Sequence, residues 1–99
     1  MKTPEPGRDR QNLAGFRQFT PQESADFVGA RDLINAVIAV YSSLVHKARN
    51  EEEKRALREE QRLHVDARRD LTVFDGDDVQ RIRAEYPSLL RKLRARDGG

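Results

Sequence analysis

LINAVIAVYSSLV, Leu33 to Val45, runs thirteen residues without a charged side chain in a chain of which 36% is charged. Directly after it, fifteen of the twenty-five residues from His46 to Asp70 carry charge. Neither Gly nor Pro interrupts the chain between Gly29 and Gly76, and an unpunctuated segment of that length reads as helix. An apolar helix joined to a salt-laced one places the buried surface in the first of the two. The fold expected is all-α: a small helical hairpin or three-helix bundle with no sheet, built from a long helix 1, a charged helix 2 and a shorter, Pro-kinked helix 3.

Working outward, helix 1 has a clear start. Thr20 suits the N-cap, Pro21 the first helical position, and Glu23 completes a Thr-x-x-Glu capping box. Phe27, Ala30, Ile34, Val37, Tyr41, Leu44 and Ala48 then recur at three- and four-residue steps and form one apolar seam. Leu33, Ile38, Val40 and Val45 widen it. Arg31, Asn35, Ala39, Ser42, His46 and Arg49 are left as a narrow polar stripe.

Asn50 followed by Glu53 is a second capping box, and Glu51, Glu52 and Glu53 suit the first turn of a helix. A turn at residues 47–51 is expected, because an unbroken rod would carry the seam onto Glu51, Arg55, Arg58 and Arg62. Glu51–Arg55 and Arg62–Asp66 are the i,i+4 pairs expected on helix 2, whose apolar stripe is thin: Leu57, Leu63 or His64, Ala67 and Leu71. Leu71-Thr72-Val73-Phe74 reads as a connector. Asp75 then caps helix 3, with Asp78 three residues on and Phe74 facing Val79 as a hydrophobic staple. Val79, Ile82, Tyr86, Leu89 and Leu93 make its seam, and Pro87 is expected to kink or divide it at Tyr86. The spacing predicts helices over about 21–48, 51–70 and 76–96 in a single domain (20–96). A flexible N-terminal arm (1–19) precedes it and a frayed tail (97–99) follows. Leu13, Phe16 and Phe19 are expected to fold back from the arm onto the helices.

At 99 residues there is room for one modest core, burying roughly 60–65% of the surface the unfolded chain exposes. A net charge of +2 creates no strong field toward nucleic acid or membrane. The excess of arginine, fifteen against four lysines, fits the codon bias of a GC-rich bacterial genome. With no cysteine, disulfides, thiolate nucleophiles and cysteine metal sites are excluded together. The first residues hold no apolar signal core. Thirteen uncharged helical residues span about 20 Å, short of a hydrocarbon core of about 30 Å. A cytoplasmic location without a membrane is expected.

No residue pattern names a reaction. His46 and His64 are too far apart, on one rod or on a hairpin, to share a metal ion. Asp75-Gly76-Asp77-Asp78 resembles the start of a calcium loop, yet Gln80 stands where the loop needs Gly and Tyr86 where it needs a bidentate Glu. Gln61 occupies the position that a Glu-x-x-His motif around His64 requires. Ser42 and Ser43 lie one turn from His46 with no third group to orient a base. No catalytic residue, metal or cofactor is therefore assigned.

What remains is an imbalance. Helix 1 offers more apolar face than helices 2 and 3 return, and surplus apolar surface marks association. The expectation is a non-catalytic protein–protein interaction module, an adaptor or regulatory subunit. Phe27, Ile34, Val37, Ile38, Tyr41, Leu44 and Val45 are its candidate interface, and a second copy (homodimer) or another protein is its partner. The alternative is a nucleic-acid-binding regulator, with the arm (Arg8, Arg10, Arg17) and the basic helix 3 end (Arg91, Lys92, Arg94 and Arg96) on phosphates.

Overall fold

A computed structural model of the chain describes residues 18–98, about 86% of them helical and none in a strand. The three helices are α1 (Pro21–Lys47), α2 (Glu51–Asp70) and α3 (Gly76–Gly98). Leu13, Phe16 and the arm arginines Arg8, Arg10 and Arg17 lie outside the described residues.

Helix α1 begins at a full capping box: Thr20 Oγ1 accepts from the Glu23 N–H at 3.0 Å, and Glu23 Oε1 accepts from the Thr20 N–H at 2.8 Å. It ends at Ala48, whose backbone is extended (φ −62°, ψ 145°). Neither cap flanking the turn has a left-handed backbone (Ala48 φ −62°, Asn50 φ −150°), so neither position calls for glycine. Asn50 caps α2 by accepting from the Glu53 N–H at 2.8 Å. Its box is not reciprocal, however, because Glu53 reaches one residue further back and takes the Arg49 N–H at 2.9 Å. The i,i+4 pairs expected on α2 are also not the ones formed. Glu51 goes to Lys54 at 3.6 Å and Asp66 to Arg69 at 3.1 Å, both i,i+3, which leaves Arg55, Arg58 and Arg62 without an ion pair among the described residues.

Tyr41 meets Glu60 and Asn35 meets Arg68, so α2 runs antiparallel to α1. Asp26 meets Gln80 and Arg83 while Lys47 meets Asp97, so α3 runs parallel to it. Helix α1 is thus the middle of an up-down-up arrangement. No Cα of α2 comes within 8 Å of one in α3, although both approach α1 that closely.

The core is chiefly an α1–α3 contact. Ala30, Ile34, Val37 and Tyr41 face Val79, Ile82, Tyr86, Leu90 and Leu93, all buried. From α2 comes Leu57 alone, with Leu71 at its C-cap. Leu63 is 68% exposed, and His64 takes the inward position that either residue was expected to fill. Phe74 is likewise exposed and packs edge-to-face on Phe19 at 5.8 Å between ring centroids. Phe19 therefore folds back onto the connector between α2 and α3.

Proline does not divide α3. The helix continues through Pro87 to Gly98, held on both sides of the missing hydrogen bond by buried Ile82, Tyr86, Leu90 and Leu93. Its end does not fray at residue 97 either. Asp97 accepts from Ser43 Oγ at 2.9 Å and pairs with Lys47 Nζ at 3.0 Å. These contacts to the end of α1 hold its carboxyl below the ordinary aspartate range, the Lys47 bond first and the Ser43 bond second.

Candidate functional site

Three features of the bundle carry groups beyond its packing: the outward stripe of α1, a polar cluster where α2 and α3 face each other, and a cleft at one end.

The outward stripe follows from the seam. Because Ala30, Ile34, Val37 and Tyr41 face inward, Val28, Asp32, Asn35, Ala39, Ser42 and His46 recur at three- and four-residue steps on the opposite side, and all six are exposed. Ala36, Val40 and Ser43 flank them half-buried. Between Asp32 and His46 α1 itself supplies no charge to this surface, although α2 reaches its edge, where Arg68 donates to Asn35 at 2.8 Å and Gln61 to Ser42 at 2.9 Å. The outer faces of α2 and α3 differ, carrying Arg55, Arg58, Glu59, Arg62, Arg81, Glu85, Arg91 and Lys92, all exposed.

The structure divides the seven apolar interface candidates. Ile34 and Val37 are fully buried and Tyr41 nearly so, within the chain's own core. They cannot meet a partner while the three helices stay together, because α3 and the inward side chains of α2 already cover them. Phe27, Ile38, Leu44 and Val45 are half-buried and pack against the same core, with the Arg31 guanidinium 5.9 Å from the centre of the Phe27 ring.

The polar cluster joins all three helices. The Tyr41 hydroxyl donates to Glu60 Oε1 at 2.9 Å, and Arg96 approaches the same oxygen at 3.7 Å. His64 stacks on Tyr41 with centroids 5.6 Å apart and meets Tyr86 edge-on at 5.4 Å. Its Nδ1 lies 2.7 Å from the Tyr86 hydroxyl oxygen. Burial pushes Tyr41 up to about 12, and the bond to Glu60 adds to that shift. Burial also raises Tyr86 and lowers His64, with Glu60 partly opposing the histidine shift. At neutral pH the cluster thus holds two phenols and a neutral imidazole. Glu60 is occupied by Tyr41 and Arg96, which leaves His64 without a carboxylate to make it a base of the kind found in a catalytic triad.

The cleft, about 370 Å³, lies where α1 ends and α2 begins, lined by Leu44, Lys47, Ala48, Arg49, Glu53, Leu57 and Arg96. Three of its four charged side chains are engaged, and the Arg49 guanidinium makes no ion pair to a described residue. Lys47 is held by Asp97, Arg96 by Glu60, and Glu53 by the Arg49 N–H.

Of the proposed phosphate contacts, Arg96 is engaged with Glu60. Arg91, Lys92 and Arg94 are exposed and make no ion pair to a described residue. Ser42 and Ser43 serve Gln61 and Asp97 respectively, not His46. Among the described residues no group of three or more His, Cys, Asp or Glu side chains is placed to hold a metal ion. The Asp75–Asp78 stretch acts locally: a hydrogen bond shared with the Asp78 carboxyl raises Asp75, and the Asp78 N–H opposes that rise.

Sequence reasoning missed the cluster. Its one signal was His64 standing in step with Leu57 and Leu71 on an otherwise charged helix. Compared with family models, with curated proteins and with solved structures, the chain matches none of them.

Proposed function

We propose that this protein is a small non-catalytic interaction module that associates with a second copy of itself through the outward stripe of α1. The observation that carries this reading is that α1 contributes no charged side chain to its exposed surface between Asp32 and His46, with Arg68 of α2 reaching that surface at Asn35, in a molecule whose other two outer faces are densely charged. Charged residues keep such faces solvated, and their depletion marks the centre of interfaces. Small side chains at Ala36, Ala39, Ser42 and Ser43 let a second helix approach closely.

Charge also favours a copy of the same chain. Asp32 and His46 stand seven residues to either side of Ala39. An antiparallel copy with its two-fold axis at Ala39 sets each Asp32 against His46 of the other chain, as an isologous interface requires. Helix α1 is long and apolar enough to cross a membrane by length and composition alone. Hydrogen bonds from Gln61 to the Ile38 carbonyl and from Arg68 to Asn35 instead tie the charged α2 along it. The cytoplasm suits such a module.

Light scattering on a sizing column tests the reading. A dimer that dissociates in Ala39→Arg, at an unchanged melting temperature, supports it. A monomer at every concentration overturns it.

A second reading rests on Arg91, Lys92 and Arg94, whose charges on the outer face of α3 pair with no described residue and suit phosphate contacts. Nucleic-acid affinity that falls steeply as salt rises supports that reading; association through α1 responds weakly to salt.

A further inference from the structure

Helix α2 is held differently from the other two. It places one fully buried side chain, Leu57, in the core, and every half-buried hydrophobic residue packed against that core belongs to α1, to Ala48 at its end or to α3. Beyond Leu57, Leu71 at its C-cap and the stack of His64 on Tyr41, its ties are polar: Gln61 to the Ile38 carbonyl and Ser42, Arg68 to Asn35, Glu60 to Tyr41 and Arg96, and His64 to Tyr86. Polar ties exchange readily for water, so each nets little. The α1–α3 pair, by contrast, keeps nine buried residues in register: Ala30, Ile34, Val37 and Tyr41 with Val79, Ile82, Tyr86, Leu90 and Leu93.

We propose that α2 is a removable cover on the α1–α3 core, and that protonation of His64 releases it. His64 is the central side chain between α2 and α3, which have no close backbone contact to fall back on. Around it stand Tyr41 from α1, Tyr86 and Arg96 from α3, and Glu60 from α2 itself, while Arg81 and Glu85 flank Tyr86. Glu60 is the carboxylate able to compensate a proton on the imidazole, and Tyr41 and Arg96 already hold it. A charged ring there gains only partial compensation from Glu60, which Arg96 also approaches, and loses water on the side buried between two phenols. Away from the bundle the same imidazolium is fully hydrated, so acid favours release. Release uncovers Tyr41 and the α1 core face beneath α2, which is where sequence reasoning located an interface. This inference does not rest on the outward stripe of α1.

Amide hydrogen exchange, corrected for intrinsic rates and read segment by segment between pH 7.5 and 5.5, tests it. Residues 57–68 are expected to lose protection as pH falls while residues 30–41 and 82–93 keep theirs. Linkage caps the loss at about tenfold for each pH unit. His64→Gln, which keeps a partner for Tyr86 but takes up no proton, abolishes the pH dependence, and His46→Gln leaves it unchanged. The loss of protection begins near the ordinary histidine value and levels off where the imidazole signal of His64 in the unmodified protein titrates, which decides the matter even if the Gln variant folds poorly. Equal loss of protection in all three helices overturns the proposal, as does a loss in α2 that persists in His64→Gln.

Discussion

His64 Nδ1 lies 2.7 Å from the Tyr86 hydroxyl oxygen and bridges two helices with no Cα atoms within 8 Å of each other. Stability should therefore follow the charge of one imidazole. Burial lowers the His64 pKa below the ordinary 6.5, so the folded state binds its proton less readily than the unfolded state does. The stabilisation is fully present above the unfolded value and is lost as pH falls through the folded one. Melting temperatures measured from pH 7.5 to 5 should decline over that interval, and His64→Gln should flatten the decline.

At the alkaline end the sign reverses. Tyr41 is pushed up to about 12 by burial and by its bond to Glu60. Its contribution is complete below the ordinary phenol value and is lost as pH rises toward 12. Ultraviolet titration should show neither Tyr41 nor Tyr86 ionising at pH 10, since Tyr86 is raised as well. Tyr41→Phe should remove the later step and cost about 1 kcal/mol in denaturant unfolding.

Ile34 is fully buried while Leu63 is 68% exposed. Replacing each by aspartate separates core from surface. Ile34→Asp should abolish the cooperative thermal transition, because a buried unpaired carboxylate costs more than a domain of this size has to spare. Leu63→Asp should change stability by no more than about 0.5 kcal/mol. Equal effects of the two would mean that α2 is rotated.

Gly29 sits inside α1, and a methyl group added there meets Arg83 Nε at 3.8 Å, an ordinary contact. Alanine removes the helix penalty of glycine without a clash. Gly29→Ala should raise stability by roughly 0.5–1 kcal/mol, read as a higher denaturant midpoint at unchanged slope.

Much of the candidate surface was already present in the sequence as a remainder. Arg31, Asn35, Ala39, Ser42, His46 and Arg49 are what the apolar seam leaves over; all are exposed, and Asn35, Ala39, Ser42 and His46 lie on the outward stripe. The seam was assigned to a partner because helix 2 looked too poor to cover it. Helix 2 is poor, with Leu57 its one buried residue, but α3 is long enough to lie along most of α1 and take that surface. The break between α1 and α2 was legible in Asn50 and in the charged residues onto which an unbroken seam would run, since an extended Ala48 leaves no glycine to mark it.

The sequence by itself determined the three helices, the Thr20 capping box and the inward seam of α1. Each of these rests on neighbours three or four positions away along the chain, where geometry is the same in any helix. Only the tertiary structure decided that His64 enters and Leu63 stays out, that Asp97 reaches back to Ser43 and Lys47, and that α2 touches α3 through side chains alone. Those outcomes depend on which residue of another helix arrives opposite, and on how far apart the phenols of Tyr41 and Tyr86 hold the backbones. That spacing is a property of the assembled volume, which no periodicity along a single helix records.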